Sequence, residues 1–428
     1  MTTRPLQIFF SFPTAPLTDW VPNGDGLLAH RIIAELAARG HFVHVATPYA
    51  SLRTPFPPNV TVYTMPGREG LPRPAKLHYM VWTRGVVRRI LATTKLDLIH
   101  ELNPVFSLLS LAFAGLKVPV VLGPHSSRWP FDANGRRSAL SDIRRRAAYL
   151  SKDLWVREQH RRASAILLST AAALNNVASP ERHLGRLFIL PPGVDTEEFS
   201  PAEMAEEPKD PTILFLANIS MRKGIFTLLE AFDRVAKQMP PARLIIAGDG
   251  PSLPAVRQHV EASGYRDRVE FLGRVGRGDV AEVVGRCSVY CLPSRGEPFG
   301  ITAIEAMACG KPLVVTSAGG LGYIVSDDGG RRVPVDDAGA LAAALIEVLQ
   351  NRELRRRMGE HNRQQVETTY AWPRVATRLE LIYREVLSKT ESPNPDRLTI
   401  ADILEHRRRS FYPSDHVEQS RGAGEKAA

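Results

Sequence analysis

The chain has 428 residues, 44% of them hydrophobic and 23% charged, with a formal net charge of +10. That length supports two domains with cores of their own, and the composition excludes both a disordered polymer and a bundle of membrane helices. Its three cysteines, Cys287, Cys291 and Cys309, lie in the second half. Cys-x3-Cys without nearby histidines is a poor zinc site, so they read as packing residues of a cytoplasmic chain.

In chain order, MTTRPLQIFFSFP lacks a full apolar core and a small-residue cleavage site, so it reads as a first buried strand. IFFSF, FVHVAT, VTVYT, DLIHE, VPVVLG and AILLS follow as strands, with amphipathic stretches such as GLLAHRIIAELAARG between them. In that stretch Leu28, Ile32 and Leu36 form an apolar stripe, and Gly40 supplies the stop. The run from Val105 is interrupted by Lys117 and Pro119 and reads as a buried helix and then a strand.

A proline- and acid-rich connector around residues 191 to 211 marks the domain boundary, which we set after Asp195. Beyond it TILFLA, ARLIIAG, VEFLG, SVYCLP and PLVVTS repeat the strand pattern. The alternation predicts an α/β fold of two doubly wound domains, with a ligand cleft between the carboxyl ends of their strands. From residue 390 to 428 the chain turns polar and reads as a disordered tail.

Charge is uneven. Through Asp195 there are 24 Lys/Arg against 12 Asp/Glu, so this half carries +12 and the remainder about −2. The excess concentrates in RGVVRRILATTK and in GRRSALSDIRRRAAYLSKDLWVREQHRR, where Tyr149 and Trp155 sit among the arginines. Such segments suit anionic lipid headgroups, at about 1 kcal/mol per basic residue near the surface. Nucleic acid is excluded as the expected partner, because no zinc-finger or RNP pattern accompanies the charge.

The stretch EPFGITAIEAMACGKP, residues 297 to 312, places Glu297 before a predicted helix and Glu305 more than a turn inside it. Gly300 lets a ligand approach, and the free amides near Gly300, Ile301 and Thr302 form a phosphate site. The two carboxylates are spaced to hold two parts of one ligand, such as hydroxyls on a sugar and on a ribose. In MRKGIFTLLEAF, Arg222 and Lys223 precede Gly224 at a strand's carboxyl end, a position suited to a diphosphate. Glycine-rich turns recur in IIAGDGPSL and FLGRVGRGDV, making Gly248, Gly250 and Arg274 further candidates on the same sheet edge. In the first domain PNGDGLL opens the first long helix with Gly24 and Gly26, and VVLGPHSSRW brings His125 and Arg128 to the cleft.

Taken in order, Lys-Gly, GDGP, FLG, LPSRGEPFGITAIEAMACGKPLVV and a later Gly-Gly give the chain a strong resemblance to the retaining family 4 glycosyltransferases from about Thr212 to Leu387. RGHFVHVATP, DLIHELNP and LPPGVDTEEFSP extend it more loosely into the first domain. The resemblance implies the GT-B arrangement: residues 1–195 on the acceptor side, 196–371 binding the donor, and a helix over 372–389 crossing back. It also implies transfer of a sugar from a UDP- or GDP-linked donor to an acceptor hydroxyl, with retention. Glu297 would then contact the sugar, Glu305 the ribose, and the amides of Phe299, Gly300 and Ile301 the phosphates and sugar. Lys223 would neutralise the leaving diphosphate, Gly24 would match a phosphate-contacting glycine, and His125 would stand near the reacting sugar.

Three positions depart from the family pattern. Asn218 stands where an arginine is usual, with Arg222 a candidate substitute; Asn23 replaces the first glycine of a pair; and Tyr323 replaces a glutamate after Gly319-Gly320. The sequence contains no Asp-x-Asp, so no metal or other cofactor is expected. The acceptor stays open among saccharide, lipid-linked and small-molecule classes, and the inner face of the plasma membrane is a candidate location. The rival readings are a nucleotide-sugar 2-epimerase and a catalytically silent sugar-nucleotide-binding scaffold.

Overall fold

The computed structural model describes residues 4–20, 24–66, 76–102, 109–126, 154–201, 208–388 and 394–411. Asn23, Val105, Arg128 and Tyr149, singled out above, lie outside these residues.

Seven strands form the first sheet: β1 (Gln7–Ser11), β2 (Phe42–Thr47), β3 (Val60–Thr64), β4 (Leu98–Leu102), β5 (Val120–His125), β6 (Ala165–Leu168) and β7 (Leu187–Ile189). Their spatial order is β3-β2-β1-β4-β5-β6-β7, and every pairing is parallel. Central strands buried on both faces are mostly apolar, as in the IFFS run of β1; β4, LIHEL, departs from this by burying His100 and Glu101. Along β1, Ile8 and Phe10 pack with Ile32, Ile33 and Leu36 of helix α1 (Gly24–Ala38). The alternate residue Phe9 packs with Val86, Val87 and Ile90 of α2 (Lys76–Leu91) on the opposite face. Gly40 ends the turn after α1 at φ +85, the left-handed geometry expected of it.

The second sheet contains β8 (Thr212–Leu216), β9 (Arg243–Ala247), β10 (Val269–Gly273), β11 (Val289–Leu292), β12 (Leu313–Thr316) and β13 (Gly330–Val333), in the order β10-β9-β8-β11-β12-β13. All of these pairs are parallel too. Three helices bear on the site: α3 (Ile225–Gln238) after β8, α4 (Ile301–Ala308) after β11, and the single turn α5 (Leu321–Ile324) after β12. Cys287, Cys291 and Cys309 are free thiols in this core.

Two passages link the halves. Val194 donates its amide to Tyr370 O at 2.8 Å, and a Cβ on Gly193 would stand 2.4 Å from the Trp372 ring, so only glycine fits there. Helix α6 (Trp372–Ser388) then buries Val375, Leu379, Ile382 and Tyr383 in the first domain's core. The hydroxyl of Tyr383 meets His100 Nδ1 at 2.5 Å.

The reading of residues 390–428 as a disordered tail is corrected here for the described part. Leu398 donates its amide to Leu187 O at 2.9 Å, and Ile189 donates to Asp396 O at 2.7 Å, covering the edge strand β7. Helix α7 (Ile400–Phe411) follows, with Ile403 buried beside Ala173, Leu174 and Val177. Its start is a capping box: Thr399 N donates to Asp402 Oδ2 at 2.7 Å, and Asp402 N returns to Thr399 Oγ1 at 3.3 Å. Few apolar residues are needed because the helix lies against an existing core, and polar composition alone concealed it.

Candidate active site

Lys223 ends a tight turn, Met221–Lys223, that leaves β8. Gly224 follows at φ +74, and a Cβ there would lie 1.8 Å from Pro293 O. Only glycine lets this turn press against the strand end that delivers Glu297. Lys223 Nζ consequently sits 2.5 Å from Glu297 Oε2, and Ser294 Oγ donates to the same oxygen at 3.3 Å. The charge of the buried carboxylate is thereby balanced by the lysine.

Gly300 precedes α4 at φ +100, and a Cβ there would meet Leu321 at 2.7 Å. The segment after β12 leans on the same place, because Gly320 donates its amide to Glu297 O at 2.7 Å. Glu305, 3% exposed, accepts from Arg277 Nη1 at 2.6 Å. Arg277 also bridges to Glu198 Oε1 at 3.1 Å and lies 4.9 Å over the Phe199 ring. Burial pushes the Glu305 carboxyl up to about 7, with Arg277 pulling it the other way.

Cβ atoms on Gly248 and Gly250 would approach Ala217 O to 2.0 Å and Ile219 O to 2.4 Å, so both glycines serve the packing of two turns. Between these turns Asn218 Nδ2 donates to Asp249 O at 3.1 Å. Arg222 and Arg274 are exposed, the latter one residue past β10.

On the first domain Gly24 begins α1, and a Cβ on it would lie 3.7 Å from Ile301 Cδ1, so this rim meets the start of α4. His125 is the last residue of β5 and is 8% exposed. It stands edge-on to His160 at 5.5 Å, and His160 in turn to His183 at 6.0 Å. Burial pushes His160 down to about 4, helped by His183 and Arg186, so it is neutral near pH 7. Asn176 Nδ2 donates to Ser126 O at 2.6 Å, holding the chain directly after His125.

The structure therefore brings Lys223, Glu297, Phe299, Gly300 and Ile301 together, with Gly24 against them. Glu305 stands behind its own arginine. Sequence reasoning passed over Arg277, although the two arginines of GRVGR are three apart; Ser294, Asn175 and His406 carried no local signal.

Two Rossmann-like domains that set a lysine–carboxylate pair at a helix start define a glycosyltransferase of the GT-B fold. The family described as Glycosyltransferase Family 4 matches residues 22–198, and Glycosyl transferases group 1 matches residues 196–365. A phosphatidyl-myo-inositol mannosyltransferase of Mycobacterium tuberculosis is 30% identical over 400 residues, covering 86% of this chain and 94% of that protein. The chain belongs to this family of glycosyltransferases. The gpi3 subunit of a phosphatidylinositol N-acetylglucosaminyltransferase from Schizosaccharomyces pombe is 30% identical over 238 residues, covering 55% of this chain; the chain spans about half of that protein, 51% of it. Among solved structures, sucrose-phosphate synthase from Thermosynechococcus elongatus shares the fold at a TM-score of 0.68 and 20% identity, covering 90% of this chain and all of that one.

Proposed function

We propose that this enzyme moves a hexose, with retention and without a metal, from a UDP- or GDP-sugar to a hydroxyl of a lipid-linked acceptor. The observation that carries the donor half is the Lys223–Glu297 pair, 2.5 Å apart at the start of α4. On donor binding the diphosphate takes Lys223, and sugar hydroxyls donate to the Glu297 carboxylate thus released. Glu305 accepts from the ribose, in competition with Arg277. As the bond from the anomeric carbon to phosphate breaks, negative charge grows on the departing oxygen. Lys223 and the amides of Gly300 and Ile301 are placed to stabilise it. The acceptor oxygen forms the new bond on the face the phosphate leaves, and its proton passes to the departing phosphate oxygen. His125 lines that face from the first domain.

Two observations support a lipid-linked acceptor. The two relatives cited above are named for transfer to phosphatidylinositols. On α2 the exposed Leu77 and Val81 lie one turn apart, with exposed Arg88 seven residues further on the same side.

Calorimetric titration of UDP and GDP in excess chelator tests the donor half: binding of one of them to the wild type is expected, and binding that requires added metal counts against the reading. Flotation with phosphatidylglycerol-containing vesicles at low salt tests the acceptor half. The wild type should bind more strongly than a Leu77→Ser/Val81→Ser variant, and equal binding would remove the assigned surface.

A further inference from the structure

Helix α7 touches both sides of the cleft. Its base is on the first domain, where Ile403 is buried and Arg407 pairs with Glu181. From that base His406, 6% exposed, reaches Asn175 Oδ1 with Nε2 at 3.0 Å and the Tyr323 hydroxyl with Nδ1 at 2.7 Å. Asn175 belongs to the first domain, and Tyr323 belongs to α5 of the second. A neutral imidazole fits both partners, donating from Nε2 to the amide oxygen and accepting the phenol proton at Nδ1. Burial and Arg407 lower the His406 pKa and so favour that neutral form.

Both ends of this bridge lead to the reacting centre. Asn176, beside Asn175, holds the Ser126 carbonyl at 2.6 Å, one residue from His125. Leu321, two residues before Tyr323, fits against Gly300, and Gly320 holds the Glu297 carbonyl at 2.7 Å. Short contacts thus run from the His125 edge through Asn176, Asn175, His406, Tyr323 and Gly320 to the Glu297 loop. They join the two halves of the cleft in addition to the chain crossings at Val194 and Trp372.

We propose that His406 is a positioning residue for sugar transfer, tying the Glu297 loop of the second domain to the His125 edge of the first through Tyr323 and Asn175. This rests on the reading above that Glu297 and His125 face the same sugar. It assigns a purpose to Tyr323: the phenol stands on the Gly-Gly segment as the second domain's attachment point. It also assigns one to the segment after residue 394, which lies beyond both family matches. Transfer is steep in geometry, and an error of about 1 Å in the placement of reacting groups costs up to about a hundredfold in rate.

The test uses the full chain with spin labels on Ala92→Cys and Ala262→Cys, both exposed and on different domains, while the native cysteines stay buried. Double electron–electron resonance is expected to give a narrow interdomain distance in the wild type. His406→Ala and Tyr323→Phe should broaden it alike, the double variant should broaden it no further, and His406→Gln should restore it. Release of nucleotide from UDP-N-acetylglucosamine or GDP-mannose should fall about tenfold in the first two variants. The donor concentration for half-saturation should stay within about twofold, since the change lies in relative placement and leaves the donor contacts intact. An unchanged distance distribution, strictly additive effects, or failure of glutamine to rescue overturns the proposal. Should His406→Ala fail to fold, Tyr323→Phe, which removes one oxygen, carries the test alone. Broadening in protein that binds neither UDP nor GDP would leave the strap standing and sink the donor reading.

Discussion

Glu101 of the first domain is handled differently from the two glutamates at the candidate site of the second. In the second, Glu297 and Glu305 each have a cation within hydrogen-bond reach, Lys223 at 2.5 Å and Arg277 at 2.6 Å. In the first, Glu101 on β4 is fully buried, and neither carboxyl oxygen has a hydrogen-bond partner among the described residues. Its neighbourhood contains Tyr79, whose hydroxyl meets Ser11 at 3.1 Å, and Glu101 lies opposite Ser11 in the parallel register. Burial alone pushes Glu101 up to about 8, so it is largely protonated at neutral pH. The second domain keeps these two glutamates paired with cations that a ligand could displace. The first domain pairs Asp97 with Arg4 at 2.7 Å but keeps Glu101, fully buried in the sheet, neutral.

That contrast is most sharply tested at Lys223. Lys223→Ala should lower nucleotide release from the donor by about 10²–10³, the magnitude associated with losing one fixed electrostatic contact to a developing charge. It should also weaken UDP or GDP binding in calorimetry. A loss confined to affinity, with turnover intact, would make the lysine a binding residue only.

Next in size is Glu101→Gln. The Glu101 pKa is raised in the folded state, so the stability tied to its protonated form is present below the unfolded value near 4.5 and is lost as pH rises toward about 8. Each pH unit within that window removes about 1.4 kcal/mol. The glutamine variant stays neutral and should show a flatter melting temperature against pH, exceeding the wild type near pH 8. Parallel profiles for the two proteins would mean that Glu101 is ionised and partnered.

Arg277→Ala comes third. It strands Glu305 without its cation, a loss of about 1–3 kcal/mol for a buried charged acceptor, read as a fall in melting temperature. The guanidinium is 41% exposed, so the lower end of that range is expected. The smallest effect belongs to Glu305→Gln. As pH rises through about 7 the wild-type carboxyl ionises beside Arg277, with burial and Glu198 opposing it, and on the proposed reading a ribose hydroxyl then donates more strongly to it. Nucleotide affinity should therefore rise across that window by up to about tenfold, and the variant should flatten the rise.

Legibility followed distance along the chain. Strands β1 to β6, helices α1 and α3, and the Gly40 stop were all readable, because apolar period and turn chemistry are local. So was Glu297 beside a helix start. The strands β7 and β13 were not: β7 has only the three residues LFI, and β13, GRRV, carries two arginines where an apolar run would mark a strand. Helix α7 was passed over although Thr399 and Asp402 spell its capping box, because the polar composition around it suggested no core to dock on.

The sequence by itself determined the elements, the faces they bury, and the residue types at each strand end: a lysine before Gly224, a glutamate before Gly300, a histidine closing β5. Those follow from backbone geometry within a few residues. Only the tertiary structure decided which groups meet. Lys223 and Glu297 are 74 positions apart, Arg277 and Glu305 are 28 apart, and His406 lies 231 from Asn175. Such pairs depend on how whole strands and helices stack, and the free energy of stacking is spread over a core too large for any local pattern to encode.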